Sequence, residues 1–205
     1  MYTSYAKYCK LKESGFRKEA NRAAEQVVVD YSNDPNPDFV VSICEGVEDR
    51  LNYHLWSGIV LPFVKADLEG NPIAIKCLIQ TIQNLYSDGS AHRELEWISE
   101  EQLIRRYLAL CPDDNWATGR HKELLARWLA HTIHEWPAGV LYGNDGATVE
   151  QCGEILEAIT ELAAIDRDSS YRSLCDDVKE KTVEYRDRLA NQAFRRAGED
   201  RDPEL

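Results

Sequence analysis

The densest run of polar chemistry in the chain is His131-Thr132-Ile133-His134-Glu135, preceded by His121. On a helix, His131 and His134 stand three apart and Glu135 four from His131, so a metal ion could bridge two of these donors. The order is HxxHE, which matches neither HExxH nor HxxEH, and no third ligand stands out. Histidines in a last helical turn also interact favourably with its free carbonyls. Arg127, His131 and His134 share the face opposite Trp128, which suits a solvated surface. A metal-dependent enzyme using His131, His134 and Glu135 is therefore the second reading.

Other chemistry has less to work with. There is no GxSxG nucleophile turn, and no cysteine in an evidently electropositive setting that would lower its pKa. Gly139, Gly143 and Gly146 lack the GxxxxGK[ST] pattern of a phosphate loop and read as turn formers. The paired acids Glu100-Glu101 and Asp113-Asp114 fall at helix borders, where carboxylates favour N-termini. The six cysteines contain no CxxC pair. Cys44, Cys77, Cys152 and Cys175 fall on apolar helix faces, so they are expected as buried free thiols in a cytoplasmic protein.

The aromatic residues point elsewhere. Trp97, Trp116 and Tyr142 fall in connectors, outside any apolar stripe, with Asp113, Asp114 and Asp145 near them in sequence. Trp and Tyr supply large contact areas at low entropy cost and anchor many interfaces. These six residues form the expected partner site, acidic and aromatic. Ring packing beneath each loop, as a satellite of the core, is the structural alternative.

Charge gives the partner its sign. The chain carries a formal net charge of −12. Residues 31–165 hold 9 Lys/Arg against 21 Asp/Glu, while the flanking segments balance at +2 and −2. Such a field disfavours nucleic acid and anionic membrane and favours a basic partner, although it also serves solubility. No apolar run is long enough for a transmembrane helix, and the N-terminal residues lack the apolar core of a secretory signal.

The elements that must position these residues are helices. The clearest pair spans Leu55 to Tyr86, joined by Asp67-Leu68-Glu69-Gly70-Asn71. Asn71 is a cap, Pro72 suits the first helical position, and Ile75, Leu78, Ile79, Ile82, Leu85 and Tyr86 form one face. Pro62 predicts a kink near Gly58. Upstream, a helix ends near Glu13, Ser14-Gly15 turns, and the next helix shows Ala20, Ala23, Ala24, Val27, Val28 and Tyr31. Asn36-Pro37 opens a helix with Val40, Ile43, Cys44, Val47 and Leu51 inward.

Downstream, Ala91 to Ile98 reads as a polar connector. Ser99-Glu100-Glu101-Gln102 and Thr148-Val149-Glu150-Gln151 are capping boxes. Between them a helix from Thr118 to Trp136 puts Leu124, Leu125, Trp128, Leu129, Thr132 and Trp136 inward. The last helices present Cys152, Ile155, Leu156, Ile159, Leu162 and Ala163, then Tyr171, Leu174, Cys175, Val178, Thr182, Tyr185 and Leu189.

Gly15-Phe16-Arg17-Lys18-Glu19-Ala20 and Asp34-Pro35-Asn36 resemble the turn and exit of a tetratricopeptide repeat, as Tyr107 to Asn115 resembles its close. The kink, the Asp67 linker and Pro72-Ile73-Ala74-Ile75-Lys76 resemble a HEAT repeat. Each resemblance covers about one unit. Cys9, Cys44, Cys77 and Cys111 recur at spacings of 35, 33 and 34 residues, near the tetratricopeptide length, but their surroundings do not align.

The expectation is an all-α protein of about nine helices, paired as antiparallel hairpins and stacked as a short, irregular α-solenoid. A single domain covers 1–197, followed by a frayed tail at 198–205. The resemblance implies a surface that binds proteins or peptides. The first reading is a cytoplasmic, non-catalytic interaction module for a basic protein or peptide, with an immunity or antitoxin protein as its sharper form. Under that reading no cofactor is expected. A homodimer through the aromatic patch is the third.

Overall fold

The computed structural model describes residues 2–47, 49–135 and 147–199, apart from the side chains of 133–135 and 192–199. Among these residues every regular element is helical, and none is a strand. No described helix is long and apolar enough to cross a membrane. By internal contacts the chain divides into two compact units, Met1–Asp114 and Asn115–Leu205.

The first unit opens with α1 (Thr3–Glu13) packed against α2 (Arg17–Asn33). Small residues Ala20, Ala23 and Ala24 are buried with Val27 on the inner face of α2. α3 (Pro37–Cys44) starts where Asn36 accepts the Asp38 N–H, with proline at the first helical position. Phe39, Val40, Ile43 and Cys44 are buried. The expected stripe extended further, to Val47 and Leu51. It stops because Glu45 is extended and Gly46 takes φ +77°, a left-handed conformation that breaks the hydrogen-bond ladder.

Next come α4 (Tyr53–Leu55), a π-helical turn (Trp56–Val60) and α5 (Leu61–Ala66). The predicted kink region therefore takes the form of a widened turn. Pro62 has no N–H to give the Gly58 carbonyl four residues back, and a π turn relieves the clash of its ring with that carbonyl. Gly58 is required here for a second reason. A Cβ at this position would stand 2.7 and 2.8 Å from the two Val28 methyl carbons of α2.

α6 (Pro72–Gln80) is capped as expected, Asn71 Oδ1 accepting from Ile73 and Ala74 N–H at 3.0 and 3.3 Å. The helix does not run unbroken to Tyr86. It stops at Thr81, whose hydroxyl donates to the Cys77 carbonyl at 2.7 Å, and restarts as α7 (Ile82–Ser87). A buried threonine bonding back four residues competes with the helix ladder. Ile75, Leu78, Ile79, Ile82 and Leu85 are buried, whereas Tyr86 is 43% exposed and leaves the predicted stripe.

The expected connector from Ala91 to Ile98 is helical in its first half. Asp88 accepts the Ala91 N–H and starts α8 (Gly89–Glu94). The Ser99–Gln102 capping box then opens α9 (Glu100–Leu110), which buries Leu103, Ile104 and Tyr107 and packs on α6.

The second unit holds α10 (Asn115–Glu135), α11 (Val149–Ile165) and α12 (Arg172–Glu199), each packed on the other two. Its core joins Leu125 and Leu129 to Cys152, Ile155, Ile159 and Leu162, and to Cys175, Val178 and Tyr185. The inward line of α10 runs through His121, Leu125, Leu129 and Thr132. Trp128, expected inward, is 37% exposed, because that line leaves it on the flank. Thr148 and Gln151 complete the second capping box. The predicted Pro137–Ala147 loop lies almost wholly outside the described residues, as do Trp136 and most of the tail expected at 198–205.

Candidate functional site

The most unusual backbone among the described residues is the turn from α8 into α9. Trp97 N–H donates to the His92 carbonyl at 2.9 Å and Glu96 N–H to the Arg93 carbonyl at 3.0 Å. These are the paired bonds of a Schellman motif, which ends a helix by turning one residue left-handed, usually glycine. Here Glu96 takes that position at φ 55°, and Trp97 follows at φ 59°. A bulky side chain in this region is a genuine outlier, and such strain clusters at functional sites.

The turn projects an aromatic ladder. The His92 ring stands edge-on to Trp97, centroids 4.9 Å apart, and 5.3 Å from Tyr86. His92 Nε2 lies 3.2 Å from the Ile98 carbonyl, which fixes the ring between its neighbours. The Tyr86 hydroxyl accepts the Glu100 N–H at 3.0 Å and ties the ladder to the start of α9. Trp97 nevertheless remains 58% exposed. The ring is held in place yet left largely in water.

Beside the turn lies an open cleft of about 540 Å³, of ligand-pocket size but with a charged lining. Asp67 and Glu69, from the α5–α6 linker, line it together with Glu94 and Glu96, with Lys65 and Arg106 as the basic residues. Lys65 pairs with Glu94. The remaining acids give the cleft a negative character, and Glu96 and Ile98, the residues on either side of Trp97, both line it.

Within the first unit, the sequence-predicted partner residues do not converge on one place. Asp113 and Asp114 stand beyond the far end of α9, whose 11 residues span roughly 16 Å from the Trp97 turn. Asp113 is exposed. Asp114 is engaged internally, Oδ2 accepting from Tyr107 OH at 2.7 Å and Lys76 Nζ at 3.2 Å, with Lys76 also over the Tyr107 ring. Burial, and then Asp114 itself, push the Tyr107 phenol above its ordinary range. In the second unit, Trp116 lies in the first turn of α10 and is 38% exposed. Tyr142 and Asp145 fall outside the described residues.

Of the alternative metal set, His131 is exposed, and the side chains of His134 and Glu135 lie outside the described residues. Among the described residues no group of three or more His, Cys, Asp or Glu is placed to hold a metal ion. His121 is buried, with Nε2 3.6 Å from a Glu161 carboxylate oxygen, an arrangement that joins α10 to α11.

Tyr86, His92, Glu94 and Glu96 are site residues that sequence reasoning missed. Tyr86 has the spacing of a core position, and nothing local announces a left-handed glutamate. The one available signal was Trp97, two residues ahead of a capping box and therefore in the approach to a helix.

No protein-family model matches the chain, and neither the curated proteins nor the solved structures compared with it include a significant match.

Proposed function

We propose that this protein is a non-catalytic interaction module that binds a basic protein or peptide. Its contact surface is the Trp97 turn with the acidic cleft beside it. One observation carries the reading: an exposed tryptophan is held on a strained turn and braced by His92, and its chain neighbour Glu96 lines an acidic cleft with Asp67 and Glu69. A braced indole loses little entropy on binding, which is what an interface anchor needs. The flanking carboxylates select a cationic partner and speed its approach. An immunity or antitoxin protein masking a cationic toxin is the sharper form of the proposal, with a cytoplasmic setting. The resemblance of single segments to tetratricopeptide and HEAT repeats supports a binding role.

A lysine- and arginine-rich peptide titrated at increasing salt tests this. Affinity is expected to fall as salt screens the cleft. Trp97→Ala is expected to weaken binding by about thirtyfold, the scale of an interface hot spot. Salt-independent binding, or an unchanged affinity in Trp97→Ala, would overturn the proposal. Light scattering on the free protein separates it from self-association through the same aromatic patch.

A further inference from the structure

A second cleft of the first unit lies between α1 and the connector that follows α3. Its volume is about 560 Å³, within the range that holds a small ligand. From α1, Tyr5, Tyr8 and Lys12 line it at spacings of three and four, so they belong to one face of that helix. Ile43, Val47 and Leu51 supply apolar wall from α3 and the connector. We propose that this cleft binds a free aromatic amino acid whose ring carries an O–H or N–H group.

Three observations select that chemistry. The first is a platform of rings. Tyr5 and Tyr8 are stacked, with centroids 5.8 Å apart and an interplanar angle of 27°, and the Phe39 ring stands edge-on to Tyr5 at 5.1 Å. Rings braced by one another offer a flat ligand a stacking surface at little entropy cost. The second is an unmatched polar group. Tyr8 is only 5% exposed, and among the described residues its hydroxyl has no hydrogen-bond partner. A buried phenol usually has one. Because Tyr8 lines the cleft, a ligand seated there with a polar ring edge supplies it.

The third observation is charge. Lys12 and Arg50 line the cleft with Glu13, Glu45 and Asp49, and all five are exposed. Among the described residues none of these five is in an ion pair, whereas Lys65 and Glu94 in the other cleft hold each other. A ligand of one sign meets like charge on part of this lining. A zwitterion suits both signs, its ammonium drawn to Glu45 or Asp49 and its carboxylate to Arg50 or Lys12.

The test titrates the full chain with L-tyrosine and L-phenylalanine, which differ by one hydroxyl, and follows the ligands by nuclear magnetic resonance. Tyramine and 3-(4-hydroxyphenyl)propionate, each keeping one of the two charges, are titrated beside them. L-Tyrosine is expected to bind at a single site, and L-phenylalanine about fivefold more weakly, the scale of one hydrogen bond. Each singly charged analogue is expected to bind about threefold more weakly than L-tyrosine, as suits exposed charge pairs. Tyr8→Phe is expected to erase the preference for L-tyrosine over L-phenylalanine, and Trp97→Ala to leave it intact. Absence of saturable L-tyrosine binding, an analogue that binds as tightly, or a preference that survives Tyr8→Phe would overturn the proposal. Should Tyr8→Phe fail to fold, Lys12→Ala and Asp49→Asn at exposed positions decide. Each is expected to weaken L-tyrosine about threefold, and an unchanged affinity in both would overturn the proposal.

Discussion

Asn84 clasps Leu51 by both backbone groups. Its Oδ1 accepts the Leu51 N–H at 2.8 Å, and its Nδ2 donates to the Leu51 carbonyl at 2.8 Å. The side chain thus acts as a strand-like partner for a stretch that has no helix of its own. It anchors the connector between α3 and α4 to α7, just before Asn52 caps α4 by accepting the His54 N–H. A backbone group left unmatched in a partly buried setting costs about 1–3 kcal/mol. Asn84→Ala leaves two, so a loss of about 2–3 kcal/mol in urea denaturation is expected. Asn84→Asp keeps the acceptor but loses the donor and places a carboxylate against a carbonyl. It is therefore also destabilising, and a wild-type midpoint in either variant would remove this role from Asn84.

The Schellman turns of α1 and α8 make a matched pair. At the end of α1, Phe16 N–H donates to the Leu11 carbonyl and Gly15 N–H to the Lys12 carbonyl, both at 3.0 Å, and Gly15 takes φ 78°. At the end of α8 the same position is Glu96. A left-handed side chain costs roughly 1–2 kcal/mol, part of which glycine returns through its freer unfolded state. Glu96→Gly is expected to stabilise by roughly 0.5 kcal/mol and Gly15→Ala to destabilise by roughly 1 kcal/mol. If Glu96 also meets a basic partner, Glu96→Gly weakens binding while the fold gains stability. Thermal denaturation and peptide titration on one variant read the two effects separately. A loss of stability in Glu96→Gly would show that its side chain, and not the strain, decides.

Gly58 and Val28 set how closely the π turn approaches α2. A side chain at position 58 would bring its Cβ to 2.7 Å from a valine methyl, well inside contact distance. Gly58→Ala is expected to cost about 1–3 kcal/mol as an overpacked site. Val28→Ala should remove the clash, so the double variant is predicted to be more stable than additivity allows. Additive losses in chemical denaturation would place the strain elsewhere.

Much of the fold was legible because its signals are local. A cap and its partner are two or three residues apart, so Asn36, Asn71, Ser99 and Thr148 announce their helices directly. Stripes such as Cys152, Ile155, Ile159 and Leu162 depend only on helical period, and their burial follows. What failed depends on neighbours distant in sequence. Trp128 and Tyr86 are large and apolar at plausible core positions, yet both are exposed. The rule that apolar residues lie inside runs one way only. Thr81 divides α6 from α7 through a hydroxyl that a continuous helix could equally have carried. For the candidate site, Trp97 was legible as an aromatic residue in a connector. The acids that accompany it were not, since Asp67 and Glu69 arrive from another linker.

The last prediction concerns pH and the link between α10 and the α11–α12 turn. Lys122 Nζ donates to Asp166 Oδ1 at 3.1 Å and Asp168 Oδ1 at 2.9 Å. It also lies over the Tyr171 ring, while Asp166 Oδ2 accepts the Tyr171 N–H at 2.7 Å. Hydrogen bonding from Lys122 holds the Asp168 carboxyl below its ordinary value of 3.8. The two carboxylates hold the Lys122 ammonium above its ordinary 10.5, with Asp168 the larger influence. A lowered carboxyl contributes stability above 3.8 that is lost as pH falls beneath it, and a raised ammonium contributes below 10.5 that is lost as pH climbs past it. Lys122→Met removes both contributions and leaves buried Asp166 without its cation. Wild type is therefore expected to exceed the variant by a constant margin between those two values, narrowing on either side. Urea midpoints across a pH series measure that margin, and one that persists undiminished into strong acid would show that Lys122 acts through packing on Tyr171 instead of charge.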